Sequence, residues 1–397
     1  MRLLLTWFTC ALLLSSAAGQ LPKVTDPSTP TTEYVVTPRP AESNEVRLLL
    51  RYPSQVVTAT RENNTVEVEL LLPRDAPKPF PCVILLHYWG ATDIQAEIRL
   101  GRRLNEKGIG AAILTLPHHM RRAAPGSRSG LAAIQPDPAS IRENMTQAVF
   151  DVKRLIDWLQ ANPDINDEKI GLAGVSLGGI VGALSTGVDS RISAAAFLLA
   201  GGDLAHLLFN SSVTVEVRRE LRRKGLDEAD LRKELEPIEP LNYSRPDLGP
   251  SVLVIGAKFD NVVPVPDTQK LIEAWHPGTV VTLDTGHYGG VLVERRIFRT
   301  VADFFASKFN LSPDTKPKSF GSPTIRVGLS YAYDYGLTVG AGIDIFKTPK
   351  RDWHVSGFIT PIGPVLFGGK EVGNGFSVGI GASRKGPTIA AFWSVVL

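Results

Sequence analysis

A short glycine-rich segment, Gly174-Val175-Ser176-Leu177-Gly178, constrains the fold of this chain more than any other feature. It matches the G-x-S-x-G pattern, in which a serine occupies a sharp turn between a buried strand and a helix. An apolar run at 169–173 precedes it and a run of small residues at 179–187 follows it. The pentapeptide alone also fits an ordinary glycine-rich turn, so its context decides. This context predicts a strand–turn–helix unit that presents Ser176 as a nucleophile.

Two later strand ends supply the residues that a nucleophilic serine needs. The apolar run at 251–256 leads into Asp260, and the run at 279–283 leads into His287. Functional residues of an open α/β sheet lie at the carboxyl ends of its strands. The order serine, acid, histidine therefore predicts that His287 is the general base and that Asp260 orients it.

Two other carboxylates compete with Asp260 for the role of the acid. Asp267 falls in the first turn of a predicted helix at 266–275, where the helix dipole alone favours an acidic residue. Asp284 lies too close to His287 along the chain to belong to a separate loop. We therefore expect Asp260 to be the partner of the histidine.

A fourth apolar run, at 82–86, opens into His87-Tyr88-Trp89-Gly90. Attack on a carbonyl creates a negative oxygen, which needs two fixed N–H donors. We expect the backbone N–H of Leu177 to be one donor and that of Tyr88 to be the other, with Trp89 as the alternative. His87 is a second candidate base, but its place before the turn favours a role in supporting the loop by hydrogen bonding.

These elements, together with a predicted helix at 144–160, resemble the α/β-hydrolase superfamily, and within it the dienelactone hydrolase and acetyl xylan esterase-like branch. The resemblance covers about residues 45–310. It implies a mostly parallel twisted sheet with helices on both faces. It also implies a serine hydrolase that cleaves carboxylic esters through an acyl-enzyme, with no metal or cofactor. True dienelactone hydrolases use a cysteine nucleophile, so Ser176 favours ordinary ester chemistry.

Hydrophobic patterning predicts an alternating α/β array over the same region. An antiparallel lead-in is expected at 46–58 and 66–72, followed by parallel strands at 82–86, 109–114, 169–173, 193–199, 251–256 and 279–283. Two other functions remain open at this stage. A serine peptidase of the prolyl-oligopeptidase type shares the same turn, although the chain lacks a propeller domain. A non-catalytic binding or scaffold homologue would also retain the turn, but serine, acid and histidine all occur here in order.

The N-terminal residues predict export. Residues 1–19 combine a basic residue, an apolar core and a small-residue exit, as in a secretory signal peptide, which indicates a periplasmic or extracellular protein. Residues 20–44 are rich in proline and threonine and predict a disordered leader. After cleavage Cys82 is the sole remaining cysteine, and its apolar strand predicts a buried thiol. The formal net charge of +3 is too small to indicate nucleic-acid binding.

Two insertions are expected to shape the substrate pocket, at 117–138 and 203–240. The first contains the adjacent pair His118 and His119, whose spacing does not suit a metal site. It also contains Arg121 and Arg122, which either bind an acidic acyl group or are simply solvated. The second insertion is interpreted either as a lid or as a plain helical bulge. The candidate pocket residues are Trp89, His118, Arg121, Leu207 and Phe209. The absence of a long apolar lid favours short acyl groups on small-molecule or polymer-borne esters.

The last part of the chain has a different pattern. Residues 311–323 predict a linker, and residues 324–397 show dense glycine with apolar residues at every second position, which predicts strands with one apolar face. Three interpretations are compatible with this pattern. The favoured one is a small β-rich domain packed on the hydrolase, the second is an oligomerisation or anchoring module, and the least favoured is part of an outer-membrane barrel. No nucleophile, base or convergent polar cluster is expected in residues 320–397.

Overall fold

The computed structural model describes residues 33–42, 44–313, 325–332, 336–348, 353–361, 363–373, 376–384 and 386–396. The predicted signal peptide at 1–19 and most of the predicted linker at 311–323 lie outside these residues. The described chain forms a nine-stranded mixed sheet with helices, followed by a closed barrel of antiparallel strands.

The nine-stranded sheet and its helices make up the α/β unit. Its strands, numbered along the chain, are β1 (Val35–Pro38), β2 (Glu45–Pro53), β3 (Thr65–Pro73), β4 (Phe80–Leu86), β5 (Gly110–Leu114), β6 (Ile165–Val175), β7 (Ile192–Leu198), β8 (Val252–Ala257) and β9 (Thr279–Leu283). Its α-helices are α1 (Gln95–Asn105), α2 (Pro138–Ala161), α3 (Leu177–Val188), α4 (Leu204–Asn210), α5 (Val215–Arg223), α6 (Glu228–Leu235), α7 (Val265–Trp275) and α8 (Glu294–Lys308). In the described ranges, no helix has the length and apolarity needed to cross a lipid bilayer.

The strand order across this sheet is β1-β2-β3-β5-β4-β6-β7-β8-β9. Strands β1, β2, β3 and β5 pair antiparallel, and β5, β4, β6, β7, β8 and β9 pair parallel. The predicted α/β class, its antiparallel lead-in and its parallel strands are therefore confirmed. The parallel order places the carboxyl ends of β4, β6, β7, β8 and β9 along one edge of the sheet.

Apolar side chains cover both faces of the sheet. Strands β4, β5 and β8 are buried along their whole length, which explains their continuous apolar sequences. One hydrophobic cluster joins the sheet to helices α2 to α7, and a second joins it to α1 and α8. Burial on this scale, at roughly 25 cal/mol per Å² of apolar surface, is the main stabilisation of a sheet that must hold loops at its edge.

Part of the expected disordered leader is ordered in the structure. Residues Val35–Pro38 form β1, which pairs antiparallel with β2 at the edge of the sheet. The ring of Tyr34 lies 5.4 Å from that of Tyr52, and its hydroxyl donates to the carbonyl of Arg154 at 3.0 Å. The β-branched residues of this segment favour an extended backbone, and Tyr34 anchors it to the α/β unit.

The C-terminal strands close into a barrel, and the predicted strands in this region are confirmed. They are β10 (Ile325–Ala332), β11 (Gly336–Lys347), β12 (Trp353–Thr360), β13 (Gly363–Gly373), β14 (Phe376–Ser383) and β15 (Gly386–Val396). Each strand pairs antiparallel with the next, and β10 pairs with β15 to complete the closure. Closure leaves no unpaired strand edge.

The barrel interior contains a polar cluster that the sequence analysis did not expect. Arg326 Nε donates to Asp344 Oδ1 at 2.7 Å, and Ser356 Oγ donates to the same oxygen at 2.6 Å. His354 bridges Ser356 and Ser377 at 2.8 and 3.0 Å. All five side chains are buried. The residues come from four strands, so only the strand pairing brings them together.

Candidate active site

Ser176 lies in a strained turn between β6 and α3. Its backbone has φ 54° and ψ −118°, an unusual region for a residue with a side chain. Its N–H donates to the carbonyl of Leu198 at 2.8 Å, which fixes the turn against β7. A Cβ atom on Gly174 would lie 2.1 Å from the carbonyl oxygen of Gly178, and one on Gly178 would lie 2.3 Å from that of Leu86. Both glycines are therefore required by close backbone approach.

Three side chains from three different loops meet at this turn. His287 Nε2 lies 3.1 Å from Ser176 Oγ, and His287 Nδ1 lies 2.7 Å from Asp260 Oδ2. The other oxygen of Asp260 accepts the N–H groups of Val262 and Val263 at 2.9 and 2.8 Å. Ser176 and His287 are each 8% exposed and Asp260 is 6% exposed. We call this chain of contacts the Ser176–His287–Asp260 array.

The array has the geometry that proton transfer from a serine hydroxyl requires. The imidazole bridges the hydroxyl and the carboxylate, so one ring nitrogen can accept a proton while the other stays bound to Asp260. The two backbone N–H groups hold the carboxylate in place. Because the site is buried, these charge interactions are stronger than they would be in water.

Ser176 adjoins the N-terminus of α3, which begins at Leu177. The N–H groups of Gly179 and Ile180 donate to the carbonyl of Ser176 at 2.9 and 3.0 Å and start the helix. The first N–H groups of a helix have no acceptor within the helix, and its dipole favours negative charge there. The N–H of Leu177 is thus suited to stabilising an oxyanion next to Ser176.

Two histidines hold the loop that follows β4. His87 accepts the N–H of Leu116 at Nε2 (3.0 Å) and donates from Nδ1 to the carbonyl of Tyr88 (2.9 Å). His119 accepts the N–H of Gly90 at Nε2 (3.0 Å) and donates from Nδ1 to the carbonyl of Pro117 (2.8 Å). Because Gly90 already donates its N–H to His119, it is not available as an oxyanion donor.

Both histidines are neutral at ordinary pH. Burial lowers the pKa of His87 to about 3 and that of His119 to about 4. Their rings pack edge to face with centroids 4.7 Å apart, so protonation of one is also opposed by the other. Sequence reasoning considered His119 only as a possible metal ligand and missed this role. The position of His119 could have indicated this role. His119 follows β5, and β5 lies beside β4, the strand that leads into His87.

The insertion at 117–138 is an ordered loop around the 87–90 segment. Trp89 donates its indole N–H to the carbonyl of Gly130 at 2.7 Å. His118, a predicted pocket residue, is buried instead, with Nε2 2.9 Å from Asn144 Oδ1. Arg121, also a predicted pocket residue, is exposed, and its guanidinium lies 4.0 Å from Glu67.

Arg122 is neither exposed nor available to a substrate, contrary to both interpretations of the Arg121 and Arg122 pair. Its side chain is fully buried, and Nη2 lies 2.8 Å from Asp151 Oδ2. It also donates to the carbonyls of Thr115 (2.8 Å) and Asn63 (2.7 Å). A buried charge needs such partners, and here they anchor the start of the insertion to α2.

The two apolar residues assigned to the pocket in the second insertion belong to the core. Leu207 and Phe209 lie on α4 and are 8% and 7% exposed. Both are part of the hydrophobic cluster that α2 to α7 form on the sheet. The guanidinium of Arg222, on α5, lies 5.6 Å from the ring centroid of Phe209 and covers it further. Their apolar surface is thus used in packing within the α/β unit.

The competing acids lie elsewhere. Asp267 is buried in the first turn of α7 and lies 2.7 Å from His206 Nδ1, and burial raises the pKa of its carboxyl to about 6. Asp284 lies 4.0 Å from the ammonium of Lys258.

Among the described residues, no group of three or more His, Cys, Asp or Glu side chains is placed to hold a metal ion. Cys82 is a buried free thiol whose pKa is raised to about 12 by burial.

The sheet order, the strained serine turn and the loop after β4 together define an α/β-hydrolase fold. Among solved structures, an acetyl xylan esterase from Paenibacillus sp. R4 superposes with a TM-score of 0.54 at 16% identity, covering 72% of this chain and 98% of that one. Acetyl xylan esterase 1 from Thermoanaerobacterium sp. JW/SL YS485 gives a TM-score of 0.52 at 12% identity, covering 68% and 88%. These similarities confirm the fold.

Sequence comparison adds two relatives of no stated activity. Two uncharacterised proteins, from two strains of Mycobacterium tuberculosis, are each 26% identical to this chain over 236 residues. The alignment covers 57% of this chain and 54% of each relative, so the chain matches about half the length of these relatives. No protein-family model matches the chain.

Proposed function

We propose that this protein is an exported serine hydrolase that cleaves carboxylic esters through an acyl-enzyme. The observation that carries the proposal is the Ser176–His287–Asp260 array, with contacts of 3.1 and 2.7 Å at a strained turn. Its likeness in fold to two acetyl xylan esterases supports ester hydrolysis as the reaction. Export is supported by the sequence of residues 1–19.

In the proposed acylation step, Ser176 Oγ attacks the ester carbonyl carbon while His287 Nε2 takes the hydroxyl proton. Asp260 keeps the imidazole oriented and stabilises the imidazolium that forms. The backbone N–H groups of Leu177 and Tyr88 stabilise the carbonyl oxygen as it becomes negative. The bond to the alcohol oxygen then breaks, and His287 returns the proton to the departing alcohol.

In the deacylation step, water replaces the alcohol. His287 takes a proton from the water, whose oxygen attacks the acyl carbon, and the bond from that carbon to Ser176 Oγ breaks. The proton passes back to Ser176, and the carboxylic acid leaves. The low exposure of Ser176 and His287 favours small acyl groups such as acetyl, which need little access to reach the serine.

The test is labelling with a fluorophosphonate probe combined with hydrolysis of p-nitrophenyl acetate, butyrate and octanoate. The full chain should be labelled at Ser176 and should hydrolyse acetate fastest. Ser176→Ala should lose both labelling and turnover. Ser185→Ala is the matched control, because this serine lies on α3 and its buried hydroxyl has no hydrogen-bond partner. It should retain full labelling.

Two outcomes would reject the proposal. Labelling that persists in Ser176→Ala would place the nucleophile elsewhere. A folded protein with neither labelling nor ester turnover would favour a non-catalytic homologue. Hydrolysis of peptide amides in preference to all three esters would instead support the peptidase alternative.

A further inference from the structure

The outer surface of the C-terminal barrel is apolar. Exposed fractions reach 69% for Leu337, 78% for Ile359 and 71% for Ile380. The other large apolar side chains of these strands that are exposed are Val327, Leu329, Val339, Ile343, Ile345, Phe346, Trp353, Leu366, Val372, Phe376 and Val378. A water-soluble domain rarely exposes a continuous apolar surface larger than a few hundred Å².

These side chains are spread over five of the six strands instead of forming one patch. Each of the five strands β10 to β14 contributes at least two of them. Of the strand side chains that the structure describes on these five strands, Lys370 is the one charged group on the outside, and its ammonium lies 6.0 Å from the ring centroid of Trp353. A partner with a single flat face would leave most of this surface in water.

The interior holds charged and polar side chains as well as the buried apolar side chains of Phe358, Val365 and Phe367. Alternate positions of the same strands bury Arg326, Asp344, His354, Ser356 and Ser377, which form the polar cluster described above. Barrels in water bury apolar side chains and expose polar ones, whereas barrels in lipid reverse this alternation. The hydrogen bonding of the closed sheet also satisfies the backbone, as an apolar environment requires.

The height of the apolar band agrees with a lipid environment. On β11 the outward apolar residues run from Leu337 to Ile345, which is about 26 Å along the strand, or roughly 20 Å at the usual strand tilt. Trp353 and Phe376 begin β12 and β14 and so lie at the same end of the barrel. Aromatic side chains are enriched where a bilayer meets water, and lysine side chains can extend toward that boundary.

We propose that the barrel contacts the hydrocarbon of a lipid bilayer and thereby attaches the α/β unit to a membrane. A second copy of the chain is the other partner with a suitable apolar surface. The distribution over five strands favours lipid, because acyl chains can cover every outward strand at once whereas one neighbouring copy covers a single side. The inference does not depend on the proposed enzymatic activity.

The experiment is flotation of the purified full-length protein with phosphatidylcholine vesicles in a density gradient. Uncharged vesicles exclude attraction to the basic residues of the chain as the cause of binding. The wild-type protein should float with the vesicles. The variant Leu337→Glu/Ile359→Glu/Ile380→Glu places one carboxylate on each of three strands, and its floated fraction should fall at least about tenfold.

The matched control is Val35→Glu/Val57→Glu/Val280→Glu, which adds the same charge at exposed valines of the α/β unit. It should float like the wild type. If the barrel variant does not fold, the wild-type protein still tests the proposal. Vesicles of acyl-chain-brominated phosphatidylcholine should then quench its tryptophan fluorescence, and Trp353→Phe should reduce that quenching.

Two results would overturn the proposal. One is a folded wild-type protein that stays at the bottom of the gradient with vesicles present. The other is an oligomer that ignores vesicles and becomes monomeric in the barrel variant by light scattering, which would identify a second copy as the partner.

Discussion

The α/β unit and the barrel place their polar groups in opposite positions. In the α/β unit, apolar side chains fill both faces of the sheet, and the Ser176–His287–Asp260 array lies at the carboxyl edge of the strands. In the barrel, many large apolar side chains are exposed on the outside, and the inside holds the charged cluster around Asp344 together with Phe358, Val365 and Phe367. The two regions of one chain are therefore adapted to different surroundings.

Each unit also contains one buried arginine–aspartate pair, and the two pairs differ in what they support. Arg122 and Asp151 are fully buried beside the loop that carries His119. Arg326 and Asp344 are each 1% exposed inside the barrel. The first pair is connected to the candidate active site, and the second joins strands of the barrel. Disturbing each pair should therefore affect a different property.

The largest expected effect concerns the array itself. His287→Ala should lower kcat for p-nitrophenyl acetate by roughly 10⁶-fold, because serine and histidine act as a unit. Asp260→Asn should lower it by roughly 10⁴-fold, since the base remains but loses its orientation. Asp284→Asn should stay within about twofold of the wild type. A greater loss in Asp284→Asn than in Asp260→Asn would show that the acid is wrongly assigned. Vesicle binding should be the same in all three variants.

The next expected effect is a loss of stability that differs between the two buried ion pairs. Asp151→Ala and Asp344→Ala each remove the nearest carboxylate of a buried arginine, which should cost about 3–5 kcal/mol of unfolding free energy in the affected unit. Asp151→Ala should lower the temperature at which ester turnover is lost. Asp344→Ala should leave that temperature unchanged and reduce vesicle flotation. Loss of both properties in either variant would show that the two units do not behave independently.

A smaller effect is the acid dependence of stability in the α/β unit. The pKa of His119 is lowered to about 4, whereas an unfolded histidine has a pKa near 6.5. Between these values the unfolded chain binds a proton that the folded chain does not, so stability falls as the pH falls. The His119→Gln variant should lack this contribution, and its slope of unfolding free energy against pH should be lower by about 1.4 kcal/mol per pH unit between pH 5 and 6.

Chemical denaturation at each pH measures this slope. Glu97 acts in the opposite direction in the same interval, because burial raises the pKa of its carboxyl to about 7 and the folded chain keeps its proton. Its contribution is common to wild type and variant and cancels in the difference. Equal slopes in the two proteins would show that His119 is protonated in the folded state.

The smallest expected effect on catalysis follows from removing the barrel. A chain that ends at residue 313 should hydrolyse p-nitrophenyl acetate within about twofold of the full chain, because every contact of the array lies within the α/β unit. It should also be more soluble without detergent and should not float with vesicles. Loss of ester turnover in a well-folded truncated protein would mean that the barrel helps to build the active site.

The sequence was most informative where local geometry leaves few choices. The glycines at 174 and 178 follow from contacts of 2.1 and 2.3 Å that any side chain would make. Fully buried strands such as β4 require continuous apolar residues, so they are recognisable without a structure. Asp260 follows the fully buried strand β8 and His287 follows the partly exposed strand β9, and the structure brings both to Ser176.

The sequence was less informative where distant segments decide the environment of a side chain. Leu207 and Phe209 resemble an apolar pocket surface, but contacts with other helices bury them in the core. From the sequence alone Arg122 resembles a solvated residue, but in the structure Asp151 of α2 lies beside it. In the barrel, alternation reveals two faces of each strand, yet only closure determines that the face containing Asp344 is inside.

Barrel closure also sets the order in which the chain can fold during synthesis. Strand β10 pairs with β15, and Arg326 lies opposite Val396. Strand β10 therefore has both of its neighbours only after Val396 has left the ribosome. The α/β unit is complete by the end of α8, long before that point. Domains generally fold as units as they emerge, and contacts between distant residues form slowly. The α/β unit is therefore expected to fold first, while the nascent barrel strands expose apolar side chains and open edges. This interval is when the chain would most need a chaperone or a membrane surface.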